Sequence, residues 1–430
     1  MNRAAIFLSL SLGAATSALF ACGGGSSSAD AQAPVGSPAP PPAGAPAPPP
    51  PPPTPPPPTV PPASTEIPTL TRSVVMTGLQ SPWDIAFTPD GAMLYTERAR
   101  GLSVRRADGT TAQIFRPADF LAEGQSGMQG VTIDPAFATN RTIYVYMSAG
   151  TSGAGDNRVV RLTVDPGYTA VTNRTDIVTG ISYKNSPLPA DPQGRGAHSG
   201  GRLRFGPDGF LYITTGDNHS GPLPQNLNAL GGKVLRVDRD GNAAPNNAPG
   251  GDRRIFAYGF RNPQGIAFRP GSGQPYISEH GPGHSDEVTA LAAGANGGWD
   301  PLCMNGVNYC GYTSNQASGA ATPMTDMVKF PGAMRPTWNN GGRSQGIAAS
   351  EFLRGTQWKA YDGALAVAFM AGNRVEILRL DAGGAVTANT SVFNTLGTRI
   401  RAAVLAPDGS LYLTTDGKSG GDEIWRVVPN

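Results

Sequence analysis

A large net charge, a long apolar run and a set of cysteines are all missing from this sequence, and each shortage excludes a class of protein. The 33 lysines and arginines and the 31 acidic residues almost balance, leaving a net charge of +2 in 430 residues. The basic residues are scattered without forming a run, which argues against nucleic acid as a partner. The apolar stretch near the N-terminus is broken by Ser and Gly and falls short of the ~20 residues that a membrane span needs.

The N-terminal residues nevertheless have the features of a lipoprotein signal peptide. Arg3 gives a positive start, an apolar stretch follows, and a Leu-Phe-Ala run precedes Cys22. In such signals residues 1–21 are removed and the cysteine takes a lipid, so that Cys22 holds the protein at a membrane. We therefore expect a lipid-anchored cell-envelope protein, and Gly23 favours the outer membrane if the source is Gram-negative. An uncleaved anchor or a plain secretory signal is the alternative.

Residues 22–68 are rich in Gly and Ser and then in Ala and Pro, with polyproline blocks at 48–53 and 55–58. Such a segment has too little apolar surface to fold, and its prolines favour an extended polyproline II conformation. We interpret it as a disordered tether between the lipidated cysteine and a folded domain at 69–430. Recognition by a proline-binding module is the alternative.

The folded domain contains few segments that look helical, and short β-rich runs alternate with Gly, Pro, Asn and Asp clusters. A Pro-Asp-Gly turn precedes an apolar strand at Thr88–Gly91, Gly206–Gly209 and Ala406–Gly409, with weaker copies at Asp134–Phe137 and Arg269–Gly271. Proline fixes φ, aspartate bonds its own backbone and glycine takes the left-handed conformation, so each copy predicts a tight hairpin. Hairpins repeated at irregular spacing predict an all-β propeller with insertions between its blades. A sandwich with similar turns is the alternative.

One of these hairpins brings two ionisable residues together. His198 lies just before its first strand, and Asp217 follows its second strand. Antiparallel pairing puts the start of the first strand beside the end of the second, so the imidazole and the carboxylate should meet. The carboxylate would fix the tautomer and leave the far ring nitrogen able to accept a proton, as a general base requires. The alternative is structural, with a histidine that caps a loop and an aspartate that bonds backbone.

Basic and amide side chains form two further groups. Arg261 and Asn262 lie in a loop framed by Gly and Pro, where they can grip a planar, oxygen-rich ligand. Arg399 and Arg401 point to one face of a strand because strand side chains alternate. An ordinary loop salt bridge and a solvated strand edge are the alternatives.

A third group has oxygen ligands for calcium. Gly281 and Pro282 precede the acids Asp286 and Glu287, and backbone carbonyls with carboxylates are the ligands that calcium prefers. All four histidines lie between residues 198 and 284, in the same part of the chain. Loops at one end of a propeller converge, so these distant segments can share one site. Ordinary loop salt bridges are again the alternative.

Of the three cysteines, Cys303 and Cys310 remain after lipidation of Cys22, seven apart in a Gly/Asn-rich loop. Outside the cytoplasm a small disulfide loop is favoured over two free thiols. A metal site with only two sulfurs and no histidine between them is disfavoured.

These segments together resemble the soluble, pyrroloquinoline quinone (PQQ)-dependent glucose and sorbosone dehydrogenase family of six-bladed β-propellers. The resemblance runs from about residue 79 to 428, and its motifs come in the family's order. They are LQSPWDIAFTPDGAMLYTER (79–98), GQSGMQGVTIDPAF (124–137), HSGGRLRFGPDGFLYITTGD (198–217), GGKVLRVDRDG (231–241), AYGFRNPQGIAF (257–268), SEHGPGHSDE (278–287) and RIRAAVLAPDGSLYLTTD (399–416).

The resemblance implies a role for each group. His198 matches the base that takes the hydroxyl proton of a sugar while hydride passes to the quinone, and Asp217 matches its orienting carboxylate. Arg261 matches an arginine that stabilises charge on the quinone oxygens. The family's other cofactor and substrate contacts match Gln125, Asn262, Arg399 and Arg401, and its calcium loop matches Gly281, Pro282, Asp286 and Glu287.

The implied function is oxidation of an aldose, or of a related polyol or aldehyde hydrate, with PQQ as hydride acceptor, calcium polarising the quinone and an external electron acceptor. Two other classes remain open. A calcium-dependent lactonase would use the same propeller and metal without a quinone. A binding propeller on a lipid-anchored stalk would have kept the fold and lost the catalytic cofactor.

Several positions depart from the family pattern. Ala197 stands where the glucose enzyme has an aspartate, and Asn373 stands where a lysine helps to hold the cofactor, with Arg374 adjacent as a substitute. His280 replaces a glutamine, the run at 296–299 lacks the usual tyrosine, and residues 338–346 contain no clear match for a cofactor-binding threonine. These changes bear on the substrate and on cofactor affinity more than on the fold.

Overall fold

A computed structural model describes residues 64–187, 194–303, 308–312, 321–417 and 420–430. The predicted signal peptide, Cys22 and all but the last five residues of the predicted tether lie outside the described residues. No helix in the described part of the chain combines the length and the apolar character needed to cross a membrane.

The described residues form 24 strands, which make six antiparallel sheets of four strands each. The first three sheets in chain order use β2 (Pro82–Phe87), β3 (Met93–Glu97), β4 (Gly101–Arg105) and β5 (Thr111–Phe115); β6 (Met128–Ile133), β7 (Thr142–Thr151), β8 (Ala154–Val164) and β9 (Val171–Ile181); and β10 (Leu203–Phe205), β11 (Leu211–Thr214), β12 (Lys233–Val237) and β13 (Ile255–Tyr258). The next two use β14 (Pro263–Phe268), β15 (Pro275–Glu279), β16 (Glu287–Ala290) and β17 (Trp338–Asn339); and β18 (Ile347–Phe352), β19 (Leu365–Phe369), β20 (Arg374–Leu380) and β21 (Val386–Val392). The sixth consists of β22 (Ile400–Leu405), β23 (Leu411–Thr415), β24 (Asp422–Pro429) and β1 (Leu70–Leu79).

The six sheets are the blades of a closed ring. The first strand of each blade, β2, β6, β10, β14, β18 or β22, contacts the first strands of the two neighbouring blades. In the sixth blade the fourth strand comes from the other end of the domain, because β1 pairs with β24 from Leu70–Pro429 to Leu79–Asp422. The predicted all-β, six-bladed β-propeller is confirmed.

The Pro-Asp-Gly turns connect the first and second strands of their blades. Gly91, Gly209 and Gly409 close these turns with backbone hydrogen bonds of 3.0, 2.9 and 2.9 Å to the residue three positions earlier. Their φ angles of 86°, 79° and 79° are in the left-handed region that favours glycine. The weaker copies fill the same connection in two other blades, one of them with a short helix, α1 (Phe137–Asn140). In the fifth blade, where no copy was predicted, a 3-10 helix at Thr356–Tyr361 makes the connection.

Apolar side chains fill the space between neighbouring blades. The first and second strands are almost entirely buried, whereas the outermost strand β21 alternates between partly buried and exposed residues. Between the fourth and fifth blades, for example, the rings of Tyr276 and Phe352 meet edge to face at 5.5 Å. Because this packing uses the faces of the blades, the axis of the ring is left to side chains of the first strands and of the strand ends.

Strand direction gathers equivalent parts of every blade at one opening of the ring. Each first strand begins where the antiparallel second strand ends, and the Pro-Asp-Gly turns lie at the opposite end. Residues just before a first strand or just after a second strand therefore converge. The predicted site residues in these positions are Gln125, His198, Asp217, Arg261, Asn262, Gly281, Pro282 and Arg399, with Arg401 one residue inside β22.

Candidate active site

A cavity of about 250 Å³ lies at this opening. Its walls are formed by Trp83, Arg98, Gln125, Gln129, His198, Ser199, Asn262, Gln264, His280, Met370, Arg399, Arg401, Asp416 and Gly417. The predicted residues among them are Gln125, His198, Asn262, Arg399 and Arg401. Most of the other lining residues occupy one of two equivalent positions in their blades. In four blades the residue directly after the second strand lines the cavity, and in four blades the second residue of the first strand does.

The predicted contact between His198 and Asp217 is confirmed. His198 Nδ1 lies 2.7 Å from Asp217 Oδ1, and the two side chains are almost fully buried. The carboxylate also accepts hydrogen bonds from Trp299 Nε1 at 2.8 Å, from the Tyr309 hydroxyl at 3.1 Å and from the backbone N–H of His219 at 3.0 Å. These donors fix the orientation of the carboxylate, which in turn fixes the imidazole.

The backbone at this contact is strained and tightly packed. His198 and Asn218 both have φ of 49°, in a region that non-glycine residues rarely adopt. Asn218 Nδ2 holds this conformation by donating to the carbonyl oxygens of Ala197 and His198, at 3.1 and 2.9 Å. A Cβ at Gly216 would lie 1.9 Å from the His198 carbonyl oxygen, so only glycine allows the two segments to approach this closely.

Burial determines the charge of the pair. It raises the pKa of Asp217 to about 6, against the opposing effects of Arg261 and of the hydrogen bonds from Trp299, His219 and Tyr309. Burial, followed by the nearby Arg261, holds the pKa of His198 well below its usual value. At neutral pH His198 is therefore an uncharged imidazole that donates Nδ1–H to an ionised carboxylate and carries a lone pair on Nε2. This is the state that a general base requires.

Three residues that the sequence did not predict continue the hydrogen bonding beyond the His198 Nε2 atom, two of them in direct contact with it. His219 Nε2 lies 2.9 Å away and the Tyr312 hydroxyl 3.2 Å away. The same hydroxyl lies 3.1 Å from His219 Nε2, and His219 Nδ1 lies 3.1 Å from Lys184 Nζ. The sequence could have predicted His219, because it follows Asp217 by two residues. Lys184 and Tyr312 lie in insertions, and no pattern in the sequence predicts them.

Arg261 is held behind the cavity rather than in its wall. Its side chain is almost fully buried, with Nη1 donating to the His280 carbonyl at 2.7 Å and Nη2 to the Tyr312 hydroxyl at 2.7 Å. Its Nε has no hydrogen-bond partner among the described residues. The guanidinium is thus fixed next to the base, with one donor unused.

Three arginines give the far side of the cavity a positive potential. Arg401 pairs with the Asp416 carboxylate, and Arg399 Nε donates to the Asp416 carbonyl at 2.7 Å. Burial and then the neighbouring Arg401 lower the pKa values of Arg98 and Arg399 below the ordinary arginine value. Three guanidinium groups against two carboxylates, Asp416 and Asp422, leave a positive charge that suits this wall to an anion. Arg98 was missed, although it directly follows a second strand, as His280 does in its own blade.

The departures Asn373 and Arg374 are both absent from the described residues that line the cavity. Arg374 Nε donates to Glu376 at 2.7 Å, and its guanidinium lies 4.3 Å from the Phe369 ring centroid. Arg374 is therefore engaged elsewhere, and Arg98 is the additional cation that the cavity contains.

The predicted calcium loop is braced by its first acid. Asp286 is fully buried and accepts hydrogen bonds from Gly281 N at 2.9 Å, Ser344 Oγ at 2.6 Å and Gln345 N at 2.6 Å. Glu287 accepts from the Thr325 hydroxyl at 3.0 Å, and burial raises its pKa to about 7. Throughout the described ranges no three or more His, Cys, Asp or Glu side chains are grouped as metal ligands. The carbonyl oxygens of Gly281 and Pro282 therefore remain the predicted ligands, and the metal-binding roles of all four residues stay predictions.

The predicted disulfide between Cys303 and Cys310 is confirmed, with a Cα–Cα distance of 5.4 Å. Its loop carries Tyr309 to Asp217 and, two residues beyond the second cysteine, Tyr312 to His198. In the run at 296–299 that lacks the family tyrosine, Trp299 donates to Asp217 instead. Ala197 is fully buried, and its carbonyl accepts the Asn218 amide.

Under the cavity a buried ion cluster closes the axis. Arg202 and Arg204 both pair with Asp84, at 2.5 and 2.8 Å, and the Arg202 guanidinium lies 4.0 Å from the centroid of the Trp83 ring. Burial lowers the pKa of Arg202 to about 9, although the Asp84 charge opposes this. The cluster gives the cavity a rigid floor, of which Trp83 is the aromatic part.

Known proteins resemble this chain in sequence over nearly the whole propeller. The family described as Glucose / Sorbosone dehydrogenase matches residues 79–426. Aldose sugar dehydrogenase YliI of Escherichia coli strain K12 is 32% identical over 370 residues, which cover 84% of this chain and 93% of that protein. Quinoprotein glucose dehydrogenase B of Acinetobacter calcoaceticus is 30% identical over 276 residues, which cover 58% of this chain and 56% of that protein.

Solved structures show the same architecture. The soluble aldose sugar dehydrogenase of Escherichia coli, in its apo-form, has a TM-score of 0.71 at 28% identity and covers 84% of this chain and 100% of its own. The PQQ-bound form of aldose sugar dehydrogenase from Streptomyces coelicolor has a TM-score of 0.66 at 26% identity and covers 84% of this chain and 99% of its own.

Proposed function

The chain belongs to the glucose/sorbosone dehydrogenase family, a family of oxidoreductases. We propose that it oxidises an aldose or a related sugar hydroxyl with PQQ as the hydride acceptor. One observation carries the proposal: the buried His198–Asp217 pair borders a cavity whose far wall has three guanidinium groups. A base at one side and an anion-binding wall at the other suit a sugar and an anionic quinone in the same cavity.

The cavity suits PQQ in charge and in shape. PQQ is a planar quinone with several carboxylates, and guanidinium groups bind carboxylates with paired, charge-assisted hydrogen bonds. Arg98, Arg399 and Arg401 would hold these carboxylates, and the buried Trp83 gives the ring system an aromatic surface. The PQQ-bound Streptomyces relative and the quinoprotein relative support this assignment. When bound, the quinone supplies the electron sink that accepts hydride from the sugar carbon.

The residues of the chain then have distinct tasks. His198 Nε2 takes the proton of the sugar hydroxyl, and Asp217 holds the ring and stabilises the imidazolium that forms. Arg261, fixed beside the base, stabilises negative charge that develops on oxygen. Gln125 accepts the His198 backbone N–H at 3.2 Å and would contact the sugar, and Asn262, which also lines the cavity, would contact the cofactor.

We also propose that calcium binds at the carbonyl oxygens of Gly281 and Pro282. Burial, with the nearby Glu287, raises the pKa of Glu279 well above its usual value, so a cation near this carboxyl would stabilise its ionised form. Calcium there would supply Lewis-acid polarisation of the quinone. Removal of calcium with a chelator should lower quinone affinity and activity together, and added calcium should restore both.

The anchor at Cys22 and the external electron acceptor are proposals of the same kind. The Leu-Phe-Ala-Cys run supports a lipid at Cys22, which would keep the enzyme at the cell envelope. Cell fractionation tests the anchor: Cys22→Ala should move the protein from the membrane fraction to the soluble fraction. An unchanged distribution would reject it.

The central test uses the purified full-length protein with PQQ and calcium. Quinone absorbance measures binding, and reduction of a dye with a panel of aldoses measures turnover. We expect stoichiometric quinone binding and sugar-dependent dye reduction, and we expect His198→Gln to keep the first and lose the second. Sugar binding without dye reduction in the wild type would identify a binding propeller instead. Hydrolysis of lactones without quinone would identify a lactonase.

A further inference from the structure

The hydrogen bonds at the base continue beyond His198 into a buried chain. His219 Nε2 lies 2.9 Å from His198 Nε2, and His219 Nδ1 lies 3.1 Å from Lys184 Nζ. The exposed fractions of His219 and Lys184 are only 4% and 6%. Three ionisable groups are therefore in line, starting at the nitrogen that accepts the substrate proton and ending at a primary amine.

The hydrogen bonds that connect His198, His219 and Lys184 can all run in one direction. A charged lysine donates and cannot accept, so His219 Nδ1 accepts from it and His219 Nε2 carries a hydrogen. That hydrogen is donated to His198 Nε2, while His198 Nδ1–H is donated to Asp217. When the lysine is neutral and His198 has taken the substrate proton, the reverse order forms, in which His198 Nε2–H donates to His219 Nε2 and His219 Nδ1–H donates to the amine. The two orders differ by the transfer of one proton from His198 to Lys184.

We propose that His219 and Lys184 form a proton relay that carries the proton taken by His198 from the sugar hydroxyl to the amine of Lys184. The inference rests on the proposed function. In the complete step the hydroxyl O–H bond breaks and its proton goes to His198 Nε2, while the carbinol C–H pair leaves as hydride to the quinone. His198 then passes its Nε2 proton to His219 Nε2, and His219 passes its Nδ1 proton to Lys184. The lysine ammonium then releases its proton to solvent, and His219, left as the Nε2–H tautomer, returns to the Nδ1–H tautomer, which resets the relay.

The Tyr312 hydroxyl shows that an oxygen can reach both imidazoles. It lies 3.2 Å from His198 Nε2, 3.1 Å from His219 Nε2 and 2.7 Å from Arg261 Nη2. A sugar hydroxyl that displaces it would meet the same three groups. In that position the proton donor, the first acceptor and the next relay group are within hydrogen-bond distance of one point, so no large movement is needed between the two transfers.

The pKa values of His198, His219 and Lys184 favour movement of the proton away from the base. Burial holds the pKa of His198 well below its usual value and lowers that of His219 to about 2, so neither ring keeps a proton. Burial lowers the pKa of Lys184 to about 8, partly offset by the charge of Asp217, which leaves a usable fraction of neutral amine near neutral pH. Lys184 and Arg261 are the charged groups that oppose a positive charge on His219. Tyr309 and Tyr312 pack against its ring as neutral phenols, at centroid distances of 5.0 and 5.5 Å.

The first test compares three variants by the pH dependence of kcat. Lys184→Met keeps an apolar stem and removes the terminal acceptor, so kcat should fall about tenfold and lose its rise between about pH 7 and 9, with KM changed less than about twofold. His219→Gln should have the same effect. Lys359→Met, a lysine paired with Glu66 far from the cavity, is the matched control and should keep the wild-type profile. Circular dichroism and the thermal midpoint verify that each variant is folded.

A second measurement tests the coupling of His219 and Lys184 in the absence of turnover. The chain has four histidines, so single His→Gln variants assign their ¹⁵N ring signals in the protein without cofactor. The His219 Nδ1 shift should follow a transition near pH 8 while its ring stays neutral, and Lys184→Met should abolish that transition. A His219 signal that is indifferent to Lys184 would overturn the relay.

The outcomes separate the relay from the proposed function. If the wild type reduces no dye with any aldose, the proposed function fails, and the ¹⁵N titration still decides whether Lys184 and His219 are coupled. If Tyr312→Phe, rather than Lys184→Met, removes the rise of kcat with pH, the proton leaves through Tyr312 and the relay is wrong. Wild-type profiles in both Lys184→Met and His219→Gln would reject it as well.

Discussion

The carboxylate of Asp217 makes opposite contributions to activity and to stability. Because its pKa is raised from 3.8 to about 6, its protonated form is favoured in the folded protein. The stabilisation from this group is therefore fully present below about pH 4 and is lost as the pH rises through 6, a difference of roughly 3 kcal/mol. The folded protein is thus less stable when Asp217 is ionised, although the base requires the ionised carboxylate. Such a loss of stability is common at functional sites.

This shift predicts the acid limb of the pH–rate profile. Below pH 6 Asp217 becomes protonated and no longer stabilises an imidazolium at His198, so kcat/KM should fall about tenfold per pH unit. The pKa of His198 lies well below its ordinary value, so the imidazole itself should not set this limb. Initial rates with saturating quinone from pH 4.5 to 8 provide the measurement. A profile that stays flat down to pH 5 would contradict the assignment.

Arg98 and Arg100 allow a matched test of the anion-binding wall. Both are on the turn after β3, but Arg98 lines the cavity whereas Arg100 pairs with Glu97 and is 47% exposed in its side chain. Arg98→Met should weaken PQQ binding by roughly 10- to 150-fold, because a charge-assisted hydrogen bond contributes about 1.5 to 3 kcal/mol. Arg100→Met should change the dissociation constant less than about twofold. Equal effects of the two substitutions in quinone titrations would show that Arg98 does not contact the cofactor.

Among the loops, the disulfide loop connects stability to the chemistry of the base. Cys303→Ser with Cys310→Ser should lower the thermal midpoint by roughly 2 to 3 °C, because the bond closes a short loop and contributes about 2 kcal/mol. The hydrogen bond from Tyr309 lowers the pKa of Asp217. Release of the loop should remove this bond and raise that pKa, so the acid limb should move to higher pH. Calorimetry and the pH profile measure the two effects. A reductant should reproduce them in the wild type and do nothing further to the double variant, and an unmoved limb would separate Tyr309 from the base.

The structure also shows which parts of the fold and site the sequence could predict. The Pro-Asp-Gly turns predicted the hairpins, and one hairpin was sufficient to place His198 beside Asp217, because both partners lie in a single local unit. Arg98 required knowledge that the blades are equivalent, since its neighbours Arg399 and Arg401 belong to the adjacent sixth blade, about 300 residues away in the sequence. Tyr312 reaches His198 across 114 residues through an insertion, and no periodicity encodes such a contact.

For the ring as a whole, closure depends on the two ends of the domain. β1 is the outer strand of the sixth blade, and Asn430 N donates to Thr69 O at 2.8 Å between the same two ends. Ala360 N, in the 3-10 helix of the fifth blade, donates to Glu66 O at 2.9 Å and also holds the segment before β1. Loss of β1 would expose the edge of β24 and leave its backbone groups unpaired. The site would be affected as well, because Ser81, just after β1, donates its N–H to Asp422 at 3.0 Å next to the arginine wall.

Two truncations test this closure. Removal of residues 1–63 leaves every strand of the six blades in place, so the thermal midpoint should change by no more than about 1 °C. Removal of residues 1–79 takes away β1 and its backbone hydrogen bonds, each of which contributes about 1 kcal/mol, so the midpoint should fall by roughly 10 °C or more. The longer truncation should also weaken quinone binding, because the sixth blade carries Arg399, Arg401 and Asp416. Calorimetry and quinone titration of the two proteins measure these effects, and equal midpoints would mean that the ring is closed by the contacts between its first strands rather than by β1.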